Sequence, residues 1–132
     1  MTRKDALLVQ RSMVHVLPKA TQIGTDFYDR LFEVAPETRP LFKHSIQEQS
    51  KKLMDVISYA IQTLDDPEEL IPKVEALGAL HKGYGVLDKY YPIVGDVLIS
   101  RLEKHLGNHL DAETKKAWVA VYTFLADIMQ KA

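Results

Sequence analysis

The 132-residue sequence predicts an all-α fold, and three observations support this prediction. Apolar residues recur every three or four positions over long stretches, which places them on one face of an α-helix. No segment shows the sustained alternation of a strand, and no Asn-Gly or Asp-Gly pair marks a tight hairpin turn. Prolines, glycines and capping residues divide the chain into helices with short connections, as in a helical bundle. We therefore expect one domain over residues 1–132.

About seven helices are predicted in chain order, one of them only a short turn. Thr2 suits the N-cap of the first, and Pro18 ends that helix or opens the second. Pro36 stops the second helix, because the residue before a proline disfavours the helical conformation. A turn between two prolines then carries Phe42 at its end. The predicted spans are residues 2–16, 18–34, 36–42, 45–64, 67–81, 88–106 and 111–132.

The later helices begin and end at residues with known capping preferences. Ser45 and Glu48 are spaced as a capping box, in which each side chain caps the backbone N–H of the other residue. Pro67 suits a first helical turn, Gly107 a C-terminal cap and Asp111 an N-cap.

Composition excludes several classes of function. The chain has no cysteine, which excludes disulfides, zinc–thiolate sites, iron–sulfur clusters and cysteine nucleophiles, and fits a cytoplasmic location. Its 17 basic and 18 acidic residues are interspersed, so we expect no nucleic-acid partner. No apolar run is long enough to cross a bilayer, so we expect no membrane partner.

A histidine lies on an apolar helical stripe in the segment "EALGALHKGYGV". His81 shares a face with Val74 and Leu77, and Gly83 and Gly85 follow where the helix can unwind. A buried histidine must be hydrogen-bonded or bind a metal. Taken alone, His81 is therefore either a core histidine bonded to a backbone carbonyl or a metal ligand.

A glutamine precedes the apolar stripe of the long middle helix. Gln49 lies one turn before Leu53, and it is either a rim residue or an amide that points into a cavity. The predicted stripe consists of Leu53, Val56, Ala60 and Leu64.

A glycine and a tyrosine share a face of the second helix. Gly24 in mid-helix disfavours the helix by about 1 kcal/mol relative to alanine, which suggests a close crossing with another helix, and Ser50 is small enough to lie there. Tyr28, one turn later, is typical of a core residue whose hydroxyl reaches a polar partner.

The remaining histidines form no recognisable metal cluster. His105 and His109 are four residues apart, but Gly107 interrupts the helix between them, so we expect solvated surface positions and only a weak case for zinc. His15 and His44 show no partner spacing.

Taken together, these residues resemble the single-domain, flavohaemoglobin-like globins of bacteria. The most similar segments are "LHKGYGV", "YYPIVGDVL" and "AWVAVYTFLADIM", and the resemblance covers nearly the whole chain. It is close to the short thermophile-type globins that have Tyr and Gln above the iron. It implies a three-over-three helical sandwich without a D helix, which holds haem b. The residues that match the family in order are Gly24, Tyr28, Pro36, Phe42, Gln49, Leu53 and His81.

The resemblance also assigns roles to residues. It implies that His81 is the proximal iron ligand, that Tyr28 and Gln49 form the distal polar pair, that Leu53 is the distal apolar residue, and that Phe42 stacks on the haem. Tyr91 matches a tyrosine that helps to hold the proximal ligand in flavohaemoglobins. The other residues that it places around the haem are Leu77, Val86, Val94, Leu98 and Tyr122.

Two departures from the family shape the functional expectation. The sequence stops at Ala132 without a reductase domain, so electrons would come from an external reductase. The last helix ends in Gln130 and Lys131, without the glutamate that bonds to the proximal histidine, so we expect the Leu77 carbonyl to accept from His81 instead.

The resemblance implies reversible, high-affinity binding of dioxygen, extended to nitric oxide detoxification. A haem-based gas or redox sensor that acts through a partner protein is the alternative. A haemless interaction module is a third reading, and the presence of His81, Phe42 and Tyr28 together argues against it.

Overall fold

The computed structural model describes all 132 residues and contains six α-helices, three 3-10 turns and no strands. The all-α prediction is therefore confirmed. The short helical turn predicted at 36–42 is a 3-10 turn, Pro36–Leu41. No helix is long and apolar enough to cross a membrane. The helices are α1 (Arg3–Val16), α2 (Ala20–Val34), α3 (Ile46–Gln62), α4 (Pro67–Gly83), α5 (Tyr90–Leu106) and α6 (Ala112–Lys131).

Most of the predicted helix ends are confirmed by cap geometry. The Thr2 hydroxyl accepts from the Asp5 N–H, and the Asp5 carboxylate accepts from the Thr2 N–H, which makes a complete capping box. Asp111 accepts from the Thr114 N–H at 2.7 Å and starts α6. Gly107 follows α5 with φ of +53°, a conformation that favours glycine.

The capping box predicted at the start of α3 forms only in part. The Ser45 hydroxyl accepts from the Glu48 N–H at 3.2 Å, as predicted. The Glu48 carboxylate instead lies 3.2 Å from the Nδ1 of His44. The prediction was wrong on the reciprocal bond, because a histidine one turn away on the same face competes for the carboxylate.

The helices form two layers of three. Helices α1, α3 and α4 lie over α2, α5 and α6, and the most extensive contacts between the layers join α1 with α6, α2 with α3, and α4 with α6. The helices bury their apolar stripes against one another, and 24 buried residues form one hydrophobic cluster. The bulkiest side chains with almost no exposure are Val9, Val16, Ile23, Leu31, Leu70, Leu102 and Val121.

The predicted close crossing of α2 and α3 is confirmed. A Cβ atom added to Gly24 would lie 2.9 Å from the Ser50 Cβ and 3.3 Å from the Cγ of Met54. Glycine thus lets the two backbones approach more closely than any side chain would allow. The crossing fixes α3 relative to the helix that carries Tyr28.

The predicted stripe of α3 is wrong at one position. Val56 is 43% exposed, whereas Ile57 packs against the core. A stripe of Leu53, Ile57, Ala60 and Leu64 fits the packing better than one through Val56, because one residue along a helix turns the side chain by about 100°.

Candidate functional site

His81 lies near the C-terminal end of α4, with its side chain half-buried. Its ring Nδ1 lies 2.9 Å from the carbonyl oxygen of Leu77, as the sequence predicted. With Nδ1–H donating to this carbonyl, the Nε2 atom keeps a free lone pair, which is the arrangement of a metal-ligating histidine. The ring therefore has one nitrogen fixed by the protein and one available to a ligand.

A tight turn after α4 brings the chain back to His81. The Val86 N–H donates to the His81 carbonyl at 3.0 Å, and Gly85 adopts a φ of +88° that allows the reversal. Gly83 does not unwind the backbone as expected, because it remains the last residue of the helix. This hydrogen bond holds the half-buried Val86 close to the C-terminal end of α4.

Tyr28 is a buried tyrosine whose hydroxyl makes no hydrogen bond to the protein. The residue is 5% exposed, and burial raises its pKa to about 12. The hydroxyl is therefore a neutral donor, and no protein group accepts a hydrogen bond from it. This feature points to a polar atom of a ligand as its partner.

Aromatic rings surround Tyr28 on one side. Its ring packs edge-on against Phe42 with centroids 5.2 Å apart, and Phe32 lies 6.0 Å away. Arg39 lies over the Phe32 ring and donates to the Phe42 carbonyl at 3.3 Å, which holds the end of the 3-10 turn in place. The structure therefore brings together two of the predicted site residues, Tyr28 and Phe42.

Gln49 and Leu53 lie one turn apart in the first half of α3. Both are half-buried, and the Gln49 amide makes no side-chain hydrogen bond to the protein. The next residue of α3, Ser50, lies in the crossing with α2, so the backbone of Gln49 is adjacent to that crossing. Gln49 is therefore available as a second neutral donor, and its distal role stays a prediction.

A buried hydrogen bond joins the two helices that carry the remaining predicted site residues. The Tyr122 hydroxyl of α6 donates to the Tyr91 carbonyl of α5 at 2.6 Å, and burial raises the pKa of Tyr122 well above its ordinary value. A Cβ atom on Gly95 would lie 2.6 Å from the Tyr122 ring, so glycine is needed there. Tyr91 is buried, and it takes part in this hydrogen bond through its backbone oxygen and not through its side chain. That the Tyr91 side chain helps to hold the proximal ligand therefore stays a prediction.

The residues present fit a haem group. His81 offers one imidazole nitrogen, which suits iron ligation, and Tyr28 and Gln49 offer two polar groups without protein partners. Most of the apolar residues predicted to line the pocket are only half-buried, unlike the core. Such apolar surface is what a flat apolar group would cover. The half-buried apolar residues are Phe42, Leu53, Leu77, Val86 and Val94, whereas Leu98 is fully buried.

Two histidine arrangements were missed by the sequence analysis. His105 is not a solvated residue, because its Nε2 lies 2.9 Å from a carboxylate oxygen of half-buried Asp26. His109 stacks on His15 with ring centroids 4.0 Å apart. Each contact joins residues far apart in the chain, so no local spacing signalled it.

Comparison with known proteins identifies the family. The Globin family model matches residues 25–129. The flavohemoprotein of Chromobacterium violaceum is 31% identical over 126 residues, which cover 92% of this chain and 31% of that protein. The flavohemoprotein of Rhodopirellula baltica is 31% identical over 131 residues, which cover 97% of this chain and 32% of that protein. The chain thus spans about a third of the length of these relatives.

Solved structures agree with this family. An engineered carbene transferase, described as a candidate nitric oxide dioxygenase from Rhodothermus marinus, aligns with a TM-score of 0.89 and 26% identity, covering 99% of this chain and 92% of that one. A bacterial globin from Campylobacter jejuni aligns with a TM-score of 0.81 and 26% identity, covering 98% and 97%. The chain belongs to the globin family, whose cofactor is haem and whose ligands are diatomic gases.

Proposed function

We propose that this globin holds haem b through His81 and binds dioxygen reversibly and tightly. The observation that carries the proposal is the hydroxyl of the buried residue Tyr28, which forms no hydrogen bond with the protein. A bound diatomic gas whose oxygen atoms carry partial negative charge would accept a hydrogen bond from that hydroxyl.

His81 is the residue that would hold the iron. Its Nδ1–H donates to the Leu77 carbonyl, which fixes the ring orientation and leaves Nε2 free. A neutral carbonyl is a weaker hydrogen-bond acceptor than a carboxylate. It therefore increases the electron density of the imidazole ring less, and His81 is a moderate electron donor. Haem held by one imidazole supplies an open coordination position for a diatomic gas.

Tyr28 and Gln49 account for tight binding of dioxygen. With its pKa at about 12, the Tyr28 hydroxyl keeps its proton at neutral pH and can donate a hydrogen bond. The Gln49 amide supplies a second N–H group. A hydrogen bond to a partly charged oxygen contributes about 1.5–3 kcal/mol, so each donor slows gas release by roughly 10- to 100-fold.

The proposal extends to nitric oxide detoxification. The flavohemoprotein relatives and the R. marinus neighbour support this extension. In the overall reaction, nitric oxide, dioxygen and one electron give nitrate, so sustained turnover needs an electron donor. We propose an external reductase as that donor, with Leu53 and Phe42 limiting the access of water.

Reconstitution with haem tests the proposal. We expect the chain to bind one haem per molecule, to show a globin visible spectrum, and to form a stable complex with dioxygen when reduced. The His81→Ala variant should lose this spectrum, whereas the control His44→Ala should keep it, because His44 is exposed and forms an ion pair with Glu48. A His81→Ala variant with the parental spectrum would refute the role of His81.

A further inference from the structure

A polar cavity lies where α1 meets the start of α6 and the 3-10 turn Gly107–His109. Its volume is about 180 Å³, and none of its lining residues belongs to the proposed haem site. Five of its six lining residues have polar side chains, and none of them is a carboxylate. The lining residues are Leu8, Arg11, Ser12, His15, His109 and Thr114.

Two stacked imidazoles form one wall of this cavity. The His15 and His109 rings lie 4.0 Å apart at an interplanar angle of 16°, and neither ring forms a hydrogen bond or ion pair with the protein. Parallel stacked rings cannot both direct a nitrogen lone pair at one metal ion. They can direct two N–H groups at different oxygen atoms of one anion.

The charges around the cavity favour an anion. Arg11 forms no salt bridge, although Asp111 and Glu113 lie at the start of α6, next to the cavity. Those carboxylates have other partners, because Glu113 lies 2.7 Å from Lys4, and Asp111 accepts from the Thr114 N–H at 2.7 Å. A free guanidinium beside two imidazoles is thus left without a counter-charge.

We propose that this cavity binds a phosphate group, held by Arg11 and by the stacked pair His15 and His109. A guanidinium matches two oxygen atoms of a phosphate, and each imidazole can donate an N–H to a further oxygen atom. The cavity volume accommodates inorganic phosphate or the phosphate group of a small phosphomonoester.

Nuclear magnetic resonance titration of the full chain with sodium phosphate, at constant pH and ionic strength, tests this site. The Cε1–H signals of His15 and His109 should shift and saturate together, whereas that of His44 should not. Arg11→Gln should weaken binding by about tenfold or more, as expected for the loss of a charge-assisted hydrogen bond. The matched control Arg3→Gln changes another exposed arginine of α1 and should leave binding unchanged.

The source of the phosphate group is tested with a second ligand. Tighter binding of glycerol phosphate than of inorganic phosphate would indicate an ester, and the reverse would indicate the free ion. Shifts that rise linearly without saturation, or equally at His44, would overturn the proposal. Saturation by zinc chloride but not by phosphate would also overturn it, since it would identify a metal-binding histidine pair.

Discussion

The backbone of Gly78 in α4 lies directly against the backbone of Met129 in α6. A Cβ atom on Gly78 would lie 2.6 Å from the Met129 Cα and even closer to its carbonyl oxygen. Gly78 follows Leu77, whose carbonyl accepts the hydrogen bond from His81. The last turns of α6 therefore set the position of the helix that holds the proposed iron ligand.

Replacing Gly78 with alanine should push α4 away from α6. We expect Gly78→Ala to lower the free energy of unfolding by about 1–3 kcal/mol, as for other overpacked sites, and to speed haem loss. Urea unfolding and haem transfer to an excess of a competing apoprotein measure the two effects.

The matched control for this variant is Gly83→Ala, in the same helix. A Cβ atom on Gly83 meets nothing within 4 Å, and its φ is not positive, so this variant should be as stable as the parent or more stable. Equal behaviour of the two variants would show that the contact with Met129 does not constrain α4.

Local sequence signals predicted the parts of the site that lie within one helix or one crossing. The bond from His81 to Leu77 spans four residues, and the small residues Gly24 and Ser50 marked the close crossing. The resemblance to a family then named the residues of the distal side. Such contacts are predictable because helix geometry fixes which residues are neighbours.

Contacts between distant helices were not predictable from the single sequence. Asp26 meets His105, and His15 meets His109, only after elements far apart in the chain have packed together. Likewise, Val56 and Ile57 are both apolar and β-branched, so the sequence did not show which of them faces the core. The packing of α3 decides this, because it selects the rotation of the helix.

Removing the Tyr28 hydroxyl tests the distal side of the proposed function. Tyr28→Phe should speed dioxygen release by roughly 10- to 100-fold, which stopped-flow displacement by carbon monoxide measures. Because the hydroxyl has no partner in the protein, the free energy of unfolding of the haem-free chain should change little or rise. Tyr84→Phe is the control, since Tyr84 is 64% exposed. An unchanged release rate would argue against a hydrogen bond from Tyr28 to the gas.

Removing the Tyr122 hydroxyl should weaken the joint between α5 and α6. Tyr122→Phe leaves the Tyr91 carbonyl without its 2.6 Å donor, so we expect a loss of about 1–3 kcal/mol in the free energy of unfolding. Tyr59→Phe removes a hydroxyl that donates to the exposed Glu69, and it should lose less than about 1 kcal/mol. Urea denaturation compares the two variants, and equal losses would contradict the prediction.

Ser50 should tolerate the loss of its hydroxyl. Its Oγ is buried without a hydrogen-bond partner, so Ser50→Ala should keep or raise the free energy of unfolding, by up to about 1 kcal/mol. Ser12→Ala is the contrast, because the Ser12 Oγ donates to the Val9 carbonyl and accepts from the Trp118 Nε1–H. We expect that variant to lose about 1–3 kcal/mol. A comparable loss in Ser50→Ala would reveal a partner for its hydroxyl.

Asp26 should make the fold sensitive to acid. Burial alone would raise the pKa of its carboxyl, but hydrogen bonds from His105 and Lys104 and the charge of Arg101 hold that pKa below the ordinary value of 3.8. As the pH falls, the unfolded chain therefore takes up the proton first. The stabilisation is present above about pH 4 and is lost as the pH falls through the lower pKa of the folded state.

Asp26→Asn should remove this part of the acid dependence. We expect it to lose about 1–2 kcal/mol in the free energy of unfolding at pH 7, because three basic side chains lose their shared anion. The difference from the parent should shrink towards pH 3, which urea unfolding at a series of pH values measures. Asp29→Asn serves as the control, since Asp29 is exposed and forms no salt bridge. A difference from the parent that stays constant between pH 7 and pH 3 would mean that Asp26 acts through packing and not through its charge.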